Sequence, residues 1–241
     1  MKTFLSNIRL PWLIFTLLVF SGLVKLGLWQ SDRALQKEQR LATIEQLIEV
    51  QALSLAQVLA QQKNEINDLP ILLKGEFDSE ILFLLDNQAN KGRLGYRVYQ
   101  VFNVDDQAVL INLGWVQGSI NRQELPDIKA ITGEFQLTGH VRKIEKGIML
   151  MEQQLNKNNW PLRVQQVELD KFSTLISREL LPFVVYLDKT ESVGYEKNWQ
   201  PIVMPPEKHR AYAFQWFSLA IAWLSLMIWA SIKFGKIVKA V

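Results

Sequence analysis

The 241-residue sequence contains no cysteine and only two histidines, His140 and His209. The first absence excludes disulfides, thiol catalysis, zinc ribbons, covalent c-type haem attachment and thiolate copper sites. The second excludes a multi-histidine metal centre. Also missing are a G-x-S-x-G nucleophile turn, a phosphate-cradling glycine loop, an H-E-x-x-H helix and paired histidines near a nucleophile. No catalytic constellation is therefore legible, and the chain does not read as an enzyme. With 27 Lys and Arg against 24 Asp and Glu, the net charge of +3 is too small to point to nucleic acid.

Charge is almost absent from two long stretches. Residues 10–29 read LPWLIFTLLVFSGLVKLGLW, interrupted only by Lys25. At 1.5 Å per residue, about 20 helical residues cross a hydrocarbon core of roughly 30 Å. The run is too long for a signal peptide and no A-x-A site follows it, so an uncleaved anchor is expected, with Lys25 snorkelling near one end. Residues 211–232 read AYAFQWFSLAIAWLSLMIWASI, 22 residues without a charge, and are expected to form a second span. Tyr212, Trp216 and Trp229 lie toward its ends, where amphipathic rings favour the interface.

Acidic residues are absent from both flanks. Lys2, Arg9 and Lys25 precede or lie in the first span, and Lys233, Lys236 and Lys239 follow the second. Short basic flanks stay cytoplasmic and long loops are translocated regardless of charge. The expected organisation is a cytoplasmic N-terminus (1–9), a first span (10–29), an extracytoplasmic domain (30–210), a second span (211–232) and a cytoplasmic basic tail (233–241). The nine residues ahead of the first span leave no room for a mitochondrial transit peptide. The expected location is a bacterial inner membrane with the central domain in the periplasm.

Glycine and proline are missing from Leu28 to Leu69. Leu41, Ile44, Ile48, Leu55 and Val58 or Leu59 recur there at helical spacing, which predicts an amphipathic, core-facing helix of several turns. Beyond Pro70 the pattern predicts strands over 71–77, 80–85, 96–104, 108–116, 133–144, 162–167 and 183–187. Turn clusters at 86–88, 91–93, 103–107 and 117–119 separate them. A helix is expected over 170–180, capped by Asp170 and ended by Pro182. Hairpin-like spacing argues for antiparallel pairing. The fold class is α+β: an antiparallel, β-rich extracytoplasmic domain of six to eight strands that can curl into a barrel, with an N-terminal amphipathic helix, inserted between two transmembrane helices.

The carboxylates Asp105 and Asp106 fall in a turn, where solvation rather than catalysis is expected. His140 reads as an ordinary surface or edge histidine. His209 lies just outside the second span. From it, Ala213, Trp216, Ala220 and Trp223 share one helical face, with Tyr212 close by. Two readings stand: an imidazole that ligates haem iron beside small and aromatic neighbours, or an interfacial histidine on a lipid-facing or helix-packing stripe.

Four segments resemble a known family. Leu26 to Arg33 with Lys37 is similar to the L-G-x-W-Q-x-x-R-x-x-x-K segment of the surfeit-locus proteins. Leu85-Asp86-Asn87 with Gly95-Tyr96-Arg97-Val98 is similar to their D-N-x…G-Y-x-V element, and residues 109–116 to their V-L-V-N-R-G-W-V strand. His209 to Phe217 resembles their H-x-x-Y-A-x-Q-W-F entry to the last helix. Leu113 departs from the pattern where many members carry Arg, and Gln100-Val101 replaces a frequent T-P. The resemblance implies an assembly factor for haem–copper cytochrome c oxidase that binds haem a and aids its insertion. By the same resemblance His209 is the iron ligand, and the partners are the oxidase catalytic subunit and haem a synthase. Tyr212 and Trp216 beside it on the helix, and Trp29 near the outer interface, are expected to contribute to the pocket, and the two spans imply contact with membrane lipid. The alternative is a cofactor-free protein that stabilises an oxidase intermediate.

Overall fold

A computed structural model of the protein describes residues 10–48, 50–62, 66–144, 155 and 160–237. The basic residues Lys2, Arg9 and Lys239 lie outside the described residues. In chain order the elements are α1 (Leu10–Ile48), β1 (Leu53–Ser54), α2 (Leu55–Leu59), β2 (Pro70–Asn90), β3 (Arg93–Val104), β4 (Gln107–Gln117), β5 (Gly133–Arg142), β6 (Leu162–Val164), α3 (Leu169–Ile176), β7 (Leu180–Leu187) and α4 (Pro206–Ile237). They form two units, one of Met1–Ile44 with Ile202–Val241, the other of Glu45–Pro201.

In the helical unit, the first apolar run and the segment after it form one 39-residue helix. Nothing between Leu28 and Ile48 breaks it, because no Gly or Pro interrupts the backbone ladder there. Both α1 and α4 are long and apolar enough to cross a membrane, and only 11% and 17% of their apolar stretches are buried. A core helix of a soluble protein would be mostly buried. Here Leu10, Ile14, Leu18, Phe214 and Ile221 all face outward, which suits a hydrocarbon surrounding.

Between the two helices the contact is made by small side chains. Gly27 and Ala34 of α1 and Ala213 and Ala220 of α4 are buried. Small residues let backbones approach closely where lipid offers no hydrophobic drive to association. A Cβ on Gly27 would lie 2.6 Å from the Phe217 ring. Farther along, Trp223 Nε1 donates to the Thr16 carbonyl at 3.1 Å, and its ring meets Phe15 edge-on at 5.7 Å.

The expected amphipathic helix does not run through to Val58. Ser54 starts a separate helix, α2: its hydroxyl accepts the Gln57 N–H, and the Gln57 side-chain oxygen accepts the Ser54 N–H. This reciprocal cap satisfies two backbone donors and fixes a new helix start. Leu55 and Val58 are then buried in the core of the sheet unit, whereas Leu41 on α1 stays exposed.

That sheet has seven strands, within the expected number. The two strands expected at 71–77 and 80–85 are one long strand, β2. Its ladder shifts between Phe77 and Leu82, where Asp78 Oδ1 accepts the N–H groups of Glu80 and Ile81. The turn expected at 86–88 is a second irregularity inside β2, with Asn87 at positive φ. Lys91 and Gly92, both at positive φ, make the two-residue turn to β3, the backbone that right-twisted hairpins require. Asp105 and Asp106 turn β3 into β4 as expected.

Pairing is not uniformly antiparallel. β7 runs parallel to β4, and β1 and β6 run parallel to β2. The order β2-β3-β4-β7-β5 returns to β2, because β5 pairs with the first half of β2. The chain crosses from β5 to β7 through β6 and α3, a connection long enough for β7 to enter parallel to β4.

Both faces of the central strands are buried, which explains why β4 reads as a continuous apolar run rather than an alternating one. One face carries Val109, Ile111, Leu113, Phe183 and Val185, packed with Ile71, Leu73 and Phe102. The other carries Leu110, Val184 and Tyr99, covered by Phe172 of α3, which stacks on Phe83 at 4.1 Å. α3 begins after Glu168, without a side-chain cap from Asp170, and ends at Ile176 because Ser177 turns left-handed. Pro182 therefore terminates no helix. It lies within β7, where the β4 ladder is interrupted between Leu180 and Val184, a place that tolerates a missing N–H.

Candidate functional site

The most specific arrangement around a sequence-predicted residue lies in the helical unit. His209, in the first turns of α4, is buried to 8% exposure. Its Nδ1–H donates to Gln30 Oε1 of α1 at 2.7 Å. A carboxamide oxygen only accepts, so Nδ1 carries a proton in this bond, and in the neutral form of the ring the lone pair lies on Nε2. Among the described residues nothing bonds to Nε2, and Nε2 is not among the sealed, unpartnered polar atoms. The neighbouring Arg210 is held by Glu38 Oε1 at 2.5 Å. Gln30, Ala34 and Glu38 recur every four residues on one face of α1, so one face of α1 fixes two consecutive side chains of α4.

The other sequence-predicted site residues flank this pair without bonding to it. Trp29 is half exposed, with the Arg33 guanidinium 5.8 Å over its ring. Tyr212 is 45% exposed and Trp216 is half-buried. Ala213, Ala220 and Trp223, the remainder of the face read from His209, are engaged in packing or hydrogen bonding to α1. The helix-packing explanation thus accounts for Ala213, Ala220 and Trp223, and His209 at the upper end keeps Nε2 without a partner among the described residues. A second Trp–cation pair, Lys233 at 5.0 Å over Trp229, lies near the opposite end of α4. Such pairs suit the two interfaces of a bilayer.

In the sheet unit His140 is not at an edge, since β5 has neighbours on both sides. Its Nδ1 meets Asp188 Oδ1 at 2.7 Å. Among the described residues no group of three or more His, Asp and Glu is placed to hold a metal ion. The polar chemistry of this unit is structural. Arg142 pairs with Asp68 and lies 5.0 Å over the Trp199 ring. Burial, then the neighbouring Tyr186, push the Tyr99 phenol well up; the two hydroxyls are 3.2 Å apart. Burial alone would raise Asp78, but the Glu80 and Ile81 N–H groups and Arg178 at 2.7 Å hold it below its ordinary value.

The segments that carried the family resemblance are fixed by specific contacts. Arg122 bridges Asp86 and Asn87 at 3.1 and 2.8 Å. Asn112 Oδ1 accepts the Gly114 N–H at 2.9 Å, and Gly114 sits at φ +117° against the backbone of Tyr195 and Glu196. Trp115 Nε1 donates to the Gln88 carbonyl at 2.7 Å. Gln30 and Glu38 are the residues that sequence reasoning passed over. Their sequence signal lay in the first of the resembling segments, where Gln30 is the Q after Trp29 and Glu38 follows Lys37.

The family model described as SURF1 family matches residues 17–221, a span that takes in most of α1, the whole sheet unit and the first half of α4. A search of the curated proteins finds no match.

Proposed function

The chain belongs to the SURF1 family of oxidase assembly factors, and from that premise we propose that it is a membrane-anchored, non-catalytic holder of haem a that aids its insertion into the cytochrome c oxidase catalytic subunit. The observation that carries the reading is the state of His209, whose Nδ1–H is committed to Gln30 while Nε2 has no partner among the described residues. A neutral imidazole with one nitrogen tied back and the other free is the donor that haem iron takes as an axial ligand. The residues present fit the group in this respect. His209 would hold the iron, and the exposed rings of Trp29 and Tyr212 would lie against the macrocycle.

When bound, haem a supplies the iron centre that the mature oxidase uses, so here it is cargo. This chain's own residues bind it, orient it and let it go. Single ligation suits release, because a second buried histidine would hold the cofactor far more tightly. With both termini in the cytoplasm, as their acid-free basic flanks favour, His209 faces the periplasmic surface of a bacterial inner membrane. Haem a synthase, as supplier, and the catalytic subunit, as recipient, would meet the protein there, in contact with lipid.

A cofactor-free scaffold is the competing reading, favoured by the packing of Ala213, Ala220 and Trp223 against α1, which needs no cofactor to explain it. The test is a pyridine haemochrome spectrum of the full chain purified from cells that make haem a. A haem a signal near one equivalent supports the holder. A protein that emerges without haem while oxidase assembly still depends on it supports the scaffold.

A further inference from the structure

We propose that Gln30 is a positioning residue for the iron-binding nitrogen of His209, setting both the orientation of the ring and its strength as a donor. The inference rests on the haem reading of His209 given above. Gln30 is partly buried on the face of α1 that carries Gly27 and Ala34, both buried. Its Oε1 is 2.7 Å from His209 Nδ1, and the two residues are 179 positions apart in the chain. A hydrogen bond between helices at this separation is not a by-product of local geometry, as an i to i+4 contact would be.

Three consequences follow from the chemistry. First, the bond fixes the tautomer: with the proton on Nδ1, the Nε2 lone pair is available to iron without any proton loss. Second, it stops rotation of the imidazole about its bond to Cβ. The Arg210–Glu38 ion pair at 2.5 Å holds the adjacent residue to the same face of α1, so the helix turn bearing the ring is itself anchored. Third, the acceptor tunes the ligand. A carboxylate on Nδ1–H gives the ring imidazolate character and binds ferric iron strongly, whereas an apolar neighbour gives neither orientation nor electron density. A neutral carboxamide lies between them. That intermediate strength matches a protein that must accept haem and then surrender it.

The test compares wild type, Gln30→Glu, Gln30→Leu and His209→Ala, each as the full chain in detergent micelles titrated with haem a. The readouts are the dissociation constant and the reduction potential of the bound haem, followed at the Soret band. Gln30→Leu should weaken binding by about 10- to 100-fold, the usual cost of losing the partner of a ligating histidine, and should raise the potential. Gln30→Glu, which keeps the shape and the acceptor, should retain haem and lower the potential below wild type. Opposite shifts from the two variants are the signature of a tuned ligand; a residue that merely packs would leave the potential in place. Haem-bearing variants whose potentials equal that of wild type would overturn the Gln30 assignment while leaving His209 as ligand. Wild type that takes up no haem a, or His209→Ala that binds as tightly as wild type, would overturn both.

Discussion

Replacing Gly114 by alanine should unfold the sheet unit at a markedly lower temperature. At φ +117° an alanine is strained whatever space surrounds it, at about 1–3 kcal/mol. Space is also lacking. The new methyl would lie 2.8 Å from the Tyr195 carbonyl carbon and 2.9 Å from the Glu196 oxygen. Backbone cannot yield as a flexible side chain can, so residues 195 and 196 must move away. They are held by three hydrogen bonds: Tyr195 N–H to Leu113 O at 2.7 Å, Trp115 N–H to Glu196 O at 2.8 Å and Glu196 N–H to Trp115 O at 3.2 Å. At roughly 0.5–1.5 kcal/mol each, loosening them brings the total to about 4 kcal/mol. For a unit of this size that corresponds to a midpoint lower by roughly 10 °C.

The control is Gly133→Ala. Gly133 is also at positive φ, +105°, but a Cβ there meets nothing within 4 Å, so only the strain remains, about 1–3 kcal/mol. Thermal unfolding of both proteins in detergent, followed by tryptophan fluorescence, reads the difference directly. Equal midpoints for the two variants would refute the claim that close approach of the 195–196 backbone is what requires glycine at position 114.

Three further outcomes are expected. Gly27→Leu should separate α1 from α4, because even a Cβ falls 2.6 Å from the Phe217 ring; a disulfide-trapping scan between cysteines placed on the two helices should lose its pattern, and an unchanged pattern would deny the packing. Asp78 is held below its ordinary value in the folded state, so its stabilisation is full above about pH 4 and is lost as the pH falls through the folded value. The wild-type midpoint should exceed that of Asp78→Asn at pH 7 by more than at pH 3, and a constant gap would rule out the linkage. Reporter fusions before Met1 and after Val241 should read cytoplasmic and one near Asp106 extracytoplasmic; a cytoplasmic signal at Asp106 would reverse the topology.

Much of the sheet unit was legible because its turns carry their own chemistry. Lys91-Gly92 and Asp105-Asp106 sit at two-residue corners whose backbone few residues adopt without strain. The α1 boundary was misread because apolar spacing continues past Ile48 through Leu55 and Val58. The S-x-x-Q signal at Ser54 and Gln57 marks a fresh helix start that apolar periodicity alone does not show. β2 was split in two because Asp78 and Asp86-Asn87 look like turns; each is a local kink whose side chain or left-handed backbone bends a strand without ending it. Parallel entry of β7 beside β4 left no trace in the sequence, since pairing partners so distant are chosen by packing on both faces. At the site, His209 was legible from its place at the head of a span. Its partnership with Gln30 was not: Gln30 stands as the Q of the first resembling segment, but only the approach of α1 to α4 pairs it with His209.

Haem content of His209→Ala tests the central claim most directly. Wild type and variant are purified in parallel from cells that make haem a, with membrane insertion checked for each, and their pyridine haemochrome spectra are compared. The span from 211 to 232 is uncharged without His209, so the variant should insert normally. Ligation by this residue predicts loss of most haem from His209→Ala and none from His140→Ala, whose ring is paired with Asp188 in the sheet unit. Equal haem occupancy in wild type and His209→Ala would contradict it.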